Sequence, residues 1–99
     1  MRDLIEGLHP VFENRIRLGI MSLLMLSDDV DFSAMKDQLD VTDGNLSSHI
    51  AMLEKNRFVN VHKAFVGKMP RTTYAATREG RKAFVEHLDA LEKIIKKNK

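Results

Sequence analysis

The sequence predicts an α+β fold that is mainly α, because the spacing of its apolar residues changes twice along the chain. Apolar residues recur every three or four positions from about residue 13 to residue 55, which is the period of amphipathic helices. They alternate with other residues between positions 59 and 76, as in a half-buried hairpin, and residues 78–97 return to the helical period. A chain of 99 residues supports one hydrophobic core, so we expect residues 1–99 to form a single domain.

The first predicted helix spans residues 13–26 and is apolar on two sides. Ile16 and Ile20 lie on one face, and Met21 lies on another. Gly19 in the middle of this helix costs about 1 kcal/mol relative to alanine. We therefore expect another helix to approach the backbone closely at this glycine.

Two short helices joined by a turn follow, which predicts a helix-turn-helix over about residues 32–56. Asp31 is a favourable N-cap for the first of them, residues 32–39, and Thr42 is one for the second. Asp43 then places a negative charge at the positive end of the helix dipole. The second helix is held to the core by three residues at helical spacing: Leu46, Ile50 and Leu53.

The outward face of the second helix is small and polar near its start, and Gly44 there weakens the helix. A helix that enters the major groove of DNA needs such a face, because bulky side chains would hold it away from the base edges. The candidate DNA-binding residues on this helix are Thr42, Asp43, Gly44, Asn45, Ser47, Ser48, His49, Met52 and Lys55. Taken alone, they also fit an ordinary exposed helix face. His49 lies at the boundary of the buried face, where it could touch DNA or pack as a half-buried neutral imidazole.

A β-hairpin is predicted over about residues 58–77, around the turn sequence GKMP. Its apolar residues are in phase, so Val61, Phe65 and Tyr74 are expected on one face. This alternation places Tyr74 in the core rather than in a position to stack on a base.

The hairpin lies within a local basic stripe. Residues 1–56 hold five Lys/Arg against ten Asp/Glu, whereas residues 57–99 hold eleven against four. No acidic residue occurs between Glu54 and Glu79. Such a stripe on a nearly neutral protein favours a polyanionic partner, although a solvated basic surface is the simpler alternative. The candidate DNA contacts outside the second helix are Lys36, Lys63, Lys68, Arg71 and Thr72.

The last predicted helix, about residues 78–97, begins at a Thr77 cap and carries an apolar stripe at steps of four and three. Its inner residues can complete the core of one chain, but its outer ones extend past any core that a chain of this size offers. We therefore expect a homodimer. The candidate dimer contacts are Ile16, Ile20, Phe84, Leu88, Leu91, Ile94 and Ile95.

Composition excludes several classes of protein. The chain has no cysteine, which removes disulfides, thiolate metal sites and cysteine nucleophiles. Its four histidines have no spacing typical of a metal site, and no catalytic triad, carboxylate pair or phosphate loop is present, so we expect no enzyme, metal or cofactor. The apolar segment LGIMSLLML lacks the flanks of a secretory signal, which predicts a cytoplasmic protein.

The segments TDGNLSSHIAMLEK and TYAATREGR, with the order of elements around them, resemble winged-helix transcriptional regulators of the MarR and ArsR type. The resemblance covers roughly residues 13–92. It implies a recognition helix that begins at Asp43, a hairpin wing along the DNA backbone, and a homodimer. The paired-cysteine metal site of many ArsR-type sensors is missing, so a metal-responsive role is not carried over.

The sequence thus predicts a homodimeric transcriptional regulator that binds specific double-stranded DNA sequences. The alternative is a winged helix that contacts other proteins in a transcription-related assembly. The sequence does not identify the operator, the target genes, the sign of regulation or a small-molecule effector.

Overall fold

A computed structural model describes residues 1–99 and has five α-helices and a three-stranded antiparallel sheet. The helices are α1 (Arg2–Glu6), α2 (Arg15–Leu26), α3 (Phe32–Leu39), α4 (Asp43–Lys55) and α5 (Arg78–Lys97). The strands are β1 (Val30–Asp31), β2 (Val59–Val66) and β3 (Met69–Ala76). This is the predicted α+β, mainly α winged helix-turn-helix, with α3 and α4 as the helix-turn-helix and β2–β3 as the wing. None of the five helices combines the length and apolar character needed to cross a bilayer.

Side-chain caps fix where the main helices begin. The Asp31 carboxylate accepts a hydrogen bond from the Ala34 amide at 2.7 Å, and the predicted caps at Thr42 and Thr77 are confirmed in the same way. The first long helix starts at Arg15 instead of residue 13, because Asn14 is its cap.

Left-handed residues follow the end of each helix of the helix-turn-helix. Asp40 follows α3 with φ of 51°, which turns the chain into α4. Arg57 follows α4 with φ of 63°, and the Phe58 amide reaches back to the Leu53 carbonyl at 3.0 Å. The Arg57 amide also donates to the Glu54 carbonyl at 2.9 Å. Together these two bonds form a Schellman motif with arginine in the position that usually holds glycine.

The sheet has the order β1–β3–β2, so β3 is its central strand. Val30 pairs with Tyr74 and Asp31 with Thr73; this third strand was not predicted. The wing turns at Gly67–Lys68, where Gly67 has φ of 64°, as expected for glycine at the first central position of a two-residue hairpin turn.

The core lies where α2, α4, α5 and the base of the sheet meet. Its fully buried side chains include Ile20, Met21 and Leu24 of α2. A β-carbon added to Gly19 would lie 2.7 Å from Leu39 Cδ2, which confirms the expected close approach of another helix. Tyr74 is buried in this core, as predicted.

Residues 1–12 form a segment that the sequence did not predict: the short helix α1 and a 3-10 turn at Pro10–Phe12. Phe12 is buried among the rings of Phe58 and Phe84. The His9 amide donates a hydrogen bond to Nδ1 of His87 on α5 at 2.9 Å. This segment is therefore fixed to α5 by both apolar and polar contacts.

Candidate nucleic-acid interface

The helix α4 separates its residues into a buried side and a free side. Leu46, Ile50 and Leu53 are 0–2% exposed and anchor the helix to the core. The predicted outward residues are all exposed: Asp43, Gly44, Asn45, Ser47, Ser48, Met52 and Lys55. The helix thus presents a small, polar surface over its first two turns.

Gly44 has no partner inside the protein. A β-carbon added at this position would meet nothing within 4 Å, although Gly19 and Gly80 are both tightly packed. The packing of the chain therefore does not require a glycine here. The absence of a side chain leaves the start of α4 accessible to a close-approaching partner.

The predicted phosphate contact Lys36 forms an ion pair with Asp43. Its Nζ lies 2.8 Å from the Asp43 carboxylate, and the hydrogen bond that Lys36 donates to that carboxylate raises the pKa of Lys36. Both side chains remain largely exposed. Lys36 thereby offsets a negative charge that would otherwise repel phosphates at the start of α4.

His49 is half-buried and is held by an arginine that the sequence did not single out. Nη1 of Arg17 donates to Nδ1 of His49 at 2.9 Å, while Nε of Arg17 donates to the Val11 carbonyl at 2.6 Å. Burial first, and then the charge of Arg17, lowers the pKa of His49. Since arginine only donates, His49 is the neutral tautomer with its proton on Nε2.

The wing carries the predicted cations in an exposed position. Lys63 and Lys68 are exposed and form no ion pair, whereas Arg71 lies 3.7 Å from the Asp31 carboxylate. Thr72 is half-buried on the side of the sheet that continues into the core. Of the four predicted wing contacts, the two lysines are therefore the most available to a partner.

Phe65 does not lie in the core, although it shares its strand face with Val61 and the buried Tyr74. The side chain is 74% exposed, because the strands continue past the end of the core while the alternation persists. Val66 and Met69 beside it are also exposed. The far end of the wing is thus apolar as well as basic.

Comparison with known proteins identifies this architecture. A family described as the winged helix DNA-binding domain matches residues 16–95, which covers α2 to α5 and the whole sheet. The chain belongs to this winged-helix DNA-binding family.

Individual proteins are similar over nearly the whole chain. A transcriptional regulator homologue from Pyrococcus horikoshii has 35% sequence identity and a TM-score of 0.88, with 97% of this chain and 96% of that one covered. A transcriptional regulator from Clostridium thermocellum has 25% identity and a TM-score of 0.62 over 98% and 95% of the two chains. An uncharacterized protein from Methanocaldococcus jannaschii is 30% identical over 87% of this chain and 94% of its own.

The predicted dimer contacts of this winged-helix protein divide into two groups. Ile20 and Phe84 are 0% and 1% exposed and belong to the core of one chain, so their side chains are not available to a partner. Periodicity alone did not reveal this, because it does not indicate what covers an apolar face. The others remain at least partly accessible: Ile16, Leu88, Leu91, Ile94 and Ile95. Val85, which was not predicted, is also exposed on α5.

Proposed function

We propose that this winged-helix protein is a homodimeric transcriptional regulator of the MarR or ArsR type, formed by a single domain of residues 1–99. It acts in the cytoplasm on specific double-stranded DNA sequences. In this proposal α4 enters the major groove and the wing follows the phosphate backbone. The protein has no catalytic role.

The observation that carries the proposal is the free face of α4. Its exposed residues are small and polar, and Gly44 has open space around it. Asn45, Ser47 and Ser48 have the hydrogen-bonding groups that read base edges in the major groove. Such a surface favours close contact with a partner at the cost of helix propensity.

Phosphate contacts from the basic residues would supply much of the affinity. Lys55, Lys63 and Lys68 are exposed and free of ion pairs. Each phosphate that they neutralise adds about −0.9 to the slope of log affinity against log salt. Binding by this surface is thus expected to weaken steeply as salt is raised.

The exposed apolar residues of α5 support the proposed dimer. Leu88 and Ile95 are 42% and 55% exposed, on a helix whose inner side is already packed. A two-fold axis through this surface would place two α4 helices on half-sites about one helical turn of DNA apart. Analytical ultracentrifugation should therefore find dimers of the native protein and monomers of Leu91→Glu, whereas Leu26→Glu should remain dimeric.

Selection from a randomised duplex pool, followed by a salt titration on the enriched sequence, tests the DNA-binding proposal. We expect one sequence with two-fold symmetry to be enriched. Failure to enrich any sequence would instead favour the winged helix as a module that contacts other proteins.

Ser48→Glu locates the binding surface. A carboxylate at this exposed position on α4 would bring a negative charge into the DNA groove, so binding to the selected duplex should fall by roughly a hundredfold or more while the dimer persists. Ser22→Glu, the same change at an exposed serine on α2, should bind like the native protein. Retained binding by the Ser48 variant would mean that another surface contacts DNA.

A further inference from the structure

The wing tip, residues 65–70, exposes an apolar cluster that the fold does not use. Phe65, Val66 and Met69 are 74%, 60% and 70% exposed. They are contiguous, since Val66 pairs directly with Met69 and Phe65 with Pro70. A contiguous exposed apolar cluster of this kind marks a surface that a partner covers.

The cluster is apolar on both faces of the hairpin. Successive residues of a strand point to opposite faces, and directly paired residues share a face. Phe65 and Pro70 therefore lie on one face of the tip, and Val66 and Met69 on the other. A flat protein surface would cover only one face, whereas a groove or a gap between stacked bases would cover both.

The charge around the tip indicates which partner has that shape. Lys68 is in the turn, Lys63 is on the incoming strand, and neither forms an ion pair. No acidic residue lies between Glu54 and Glu79 in the sequence. A second copy placed tip to tip would bring these lysines together, so the charge favours a polyanion over self-association.

The tip also extends far enough from the body to reach a second site on a bound duplex. Val61 is the last half-buried residue on β2, and the strand continues to Val66. Five further residues carry the tip about 16 Å beyond the core at the rise of a β-strand. It can therefore enter a groove while α4 occupies the neighbouring one.

We propose that the wing tip is an apolar wedge that enters the minor groove and unstacks or kinks the DNA at one base step. The proposal rests on the proposed DNA-binding function and adds a deformation of the duplex to it. Phe, Met and Pro are residue types that other proteins insert between base steps in this way. Because TA and CA steps deform most easily, the wedge selects for such a step without hydrogen bonds to its bases.

The test uses the full-length protein and a duplex with a single TA step at the position that the wing reaches. Fluorophores at the two ends report bending, and 2-aminopurine in place of the TA-step adenine reports unstacking. The native protein should bring the ends closer and raise the 2-aminopurine fluorescence. Replacing the TA step by a stiff A-tract should weaken binding roughly tenfold.

The decisive variant is Phe65→Ser combined with Met69→Ser. Both positions are exposed, so the fold should be retained, as checked by circular dichroism. Binding should weaken roughly tenfold, the bend and the 2-aminopurine signal should be lost, and the salt slope should stay unchanged. Lys63→Ala with Lys68→Ala should instead reduce the salt slope by about 2. Leu26→Ser, at another exposed apolar residue, should match the native protein.

Each other outcome overturns the proposal in a recognisable way. Native protein that binds the duplex without bending or unstacking it would refute the wedge and leave the DNA-binding function standing. If the Phe65→Ser, Met69→Ser variant bends DNA like the native protein, the tip has another role. The same holds if its only defect is loss of self-association, seen as a lower sedimentation coefficient of the free protein. Native protein that binds no duplex would overturn the proposed function itself.

Discussion

The starts of α4 and α5 have the same local sequence design but different surroundings. Each begins at a threonine cap and has an acidic residue followed directly by a glycine. These residues are Thr42, Asp43 and Gly44 in α4, and Thr77, Glu79 and Gly80 in α5. A β-carbon on Gly80 would lie only 2.2 Å from the Phe58 carbonyl oxygen, whereas one on Gly44 would meet nothing. Packing within the chain requires a glycine at position 80 but not at position 44.

This difference separates residues that maintain the fold from residues that are free for function. At α5, the small residue lets a helix pack directly against the backbone at the start of β2. At α4, a glycine in the equivalent position lowers helix stability and allows no additional contact within the chain. A residue that lowers stability without improving packing is a candidate for a binding surface.

Gly80→Ala is expected to have the largest effect on stability. The new methyl group would meet backbone atoms of Phe58, which cannot rotate away as a side chain can. We expect a loss of about 3 kcal/mol or more in the free energy of unfolding. Urea denaturation followed by circular dichroism measures it, and a loss near zero would contradict the packing role assigned to Gly80.

Thr77→Ala and Thr42→Ala compare the two caps. The Thr77 hydroxyl accepts from the Gly80 amide at 2.8 Å and donates to the Arg57 carbonyl at 2.7 Å. Thr42 makes one longer bond, from the Asn45 amide at 3.2 Å, at an exposed position. The first change should cost about 2 kcal/mol and the second about 0.5–1 kcal/mol. Equal losses would show that the surroundings of the two caps do not affect their contribution to the free energy of unfolding.

Gly44→Ala should have the smallest effect on stability and the opposite sign. Alanine has open space there and is the better helix former, so the variant should gain up to about 1 kcal/mol. Its affinity for the selected duplex should nevertheless fall roughly severalfold, if the helix start lies against DNA. A variant that is more stable and binds equally well would remove Gly44 from the interface.

Much of the fold could be predicted because its signals are local. The caps at Asp31, Thr42 and Thr77 bond to amides three residues away, and periodicity indicated the long elements. The two-residue strand β1 has too few residues for any period. The packing of residues 1–12 depends on contacts such as the one from His9 to His87, which are 78 positions apart.

The candidate site was only partly predictable for related reasons. Exposure of Ser47 and Ser48 follows from the helical period and needs no knowledge of the fold. The role of Arg17 depends on His49, 32 positions later, so no pattern in either helix could reveal it. Phe65 shows another limit, because the alternation persists past the end of the core and does not indicate where burial stops.

The bond between His9 and His87 makes the attachment of the N-terminal segment sensitive to protons. His87 is 3% exposed and accepts this bond through Nδ1, and burial lowers its pKa, partly offset by Glu13. Protonation would remove the acceptor. Below about pH 6.5 the unfolded chain binds the proton more readily than the folded one, so stability falls as pH falls through this range. Acid should thus weaken the attachment of residues 1–12 to α5, the helix on which the proposed dimer depends.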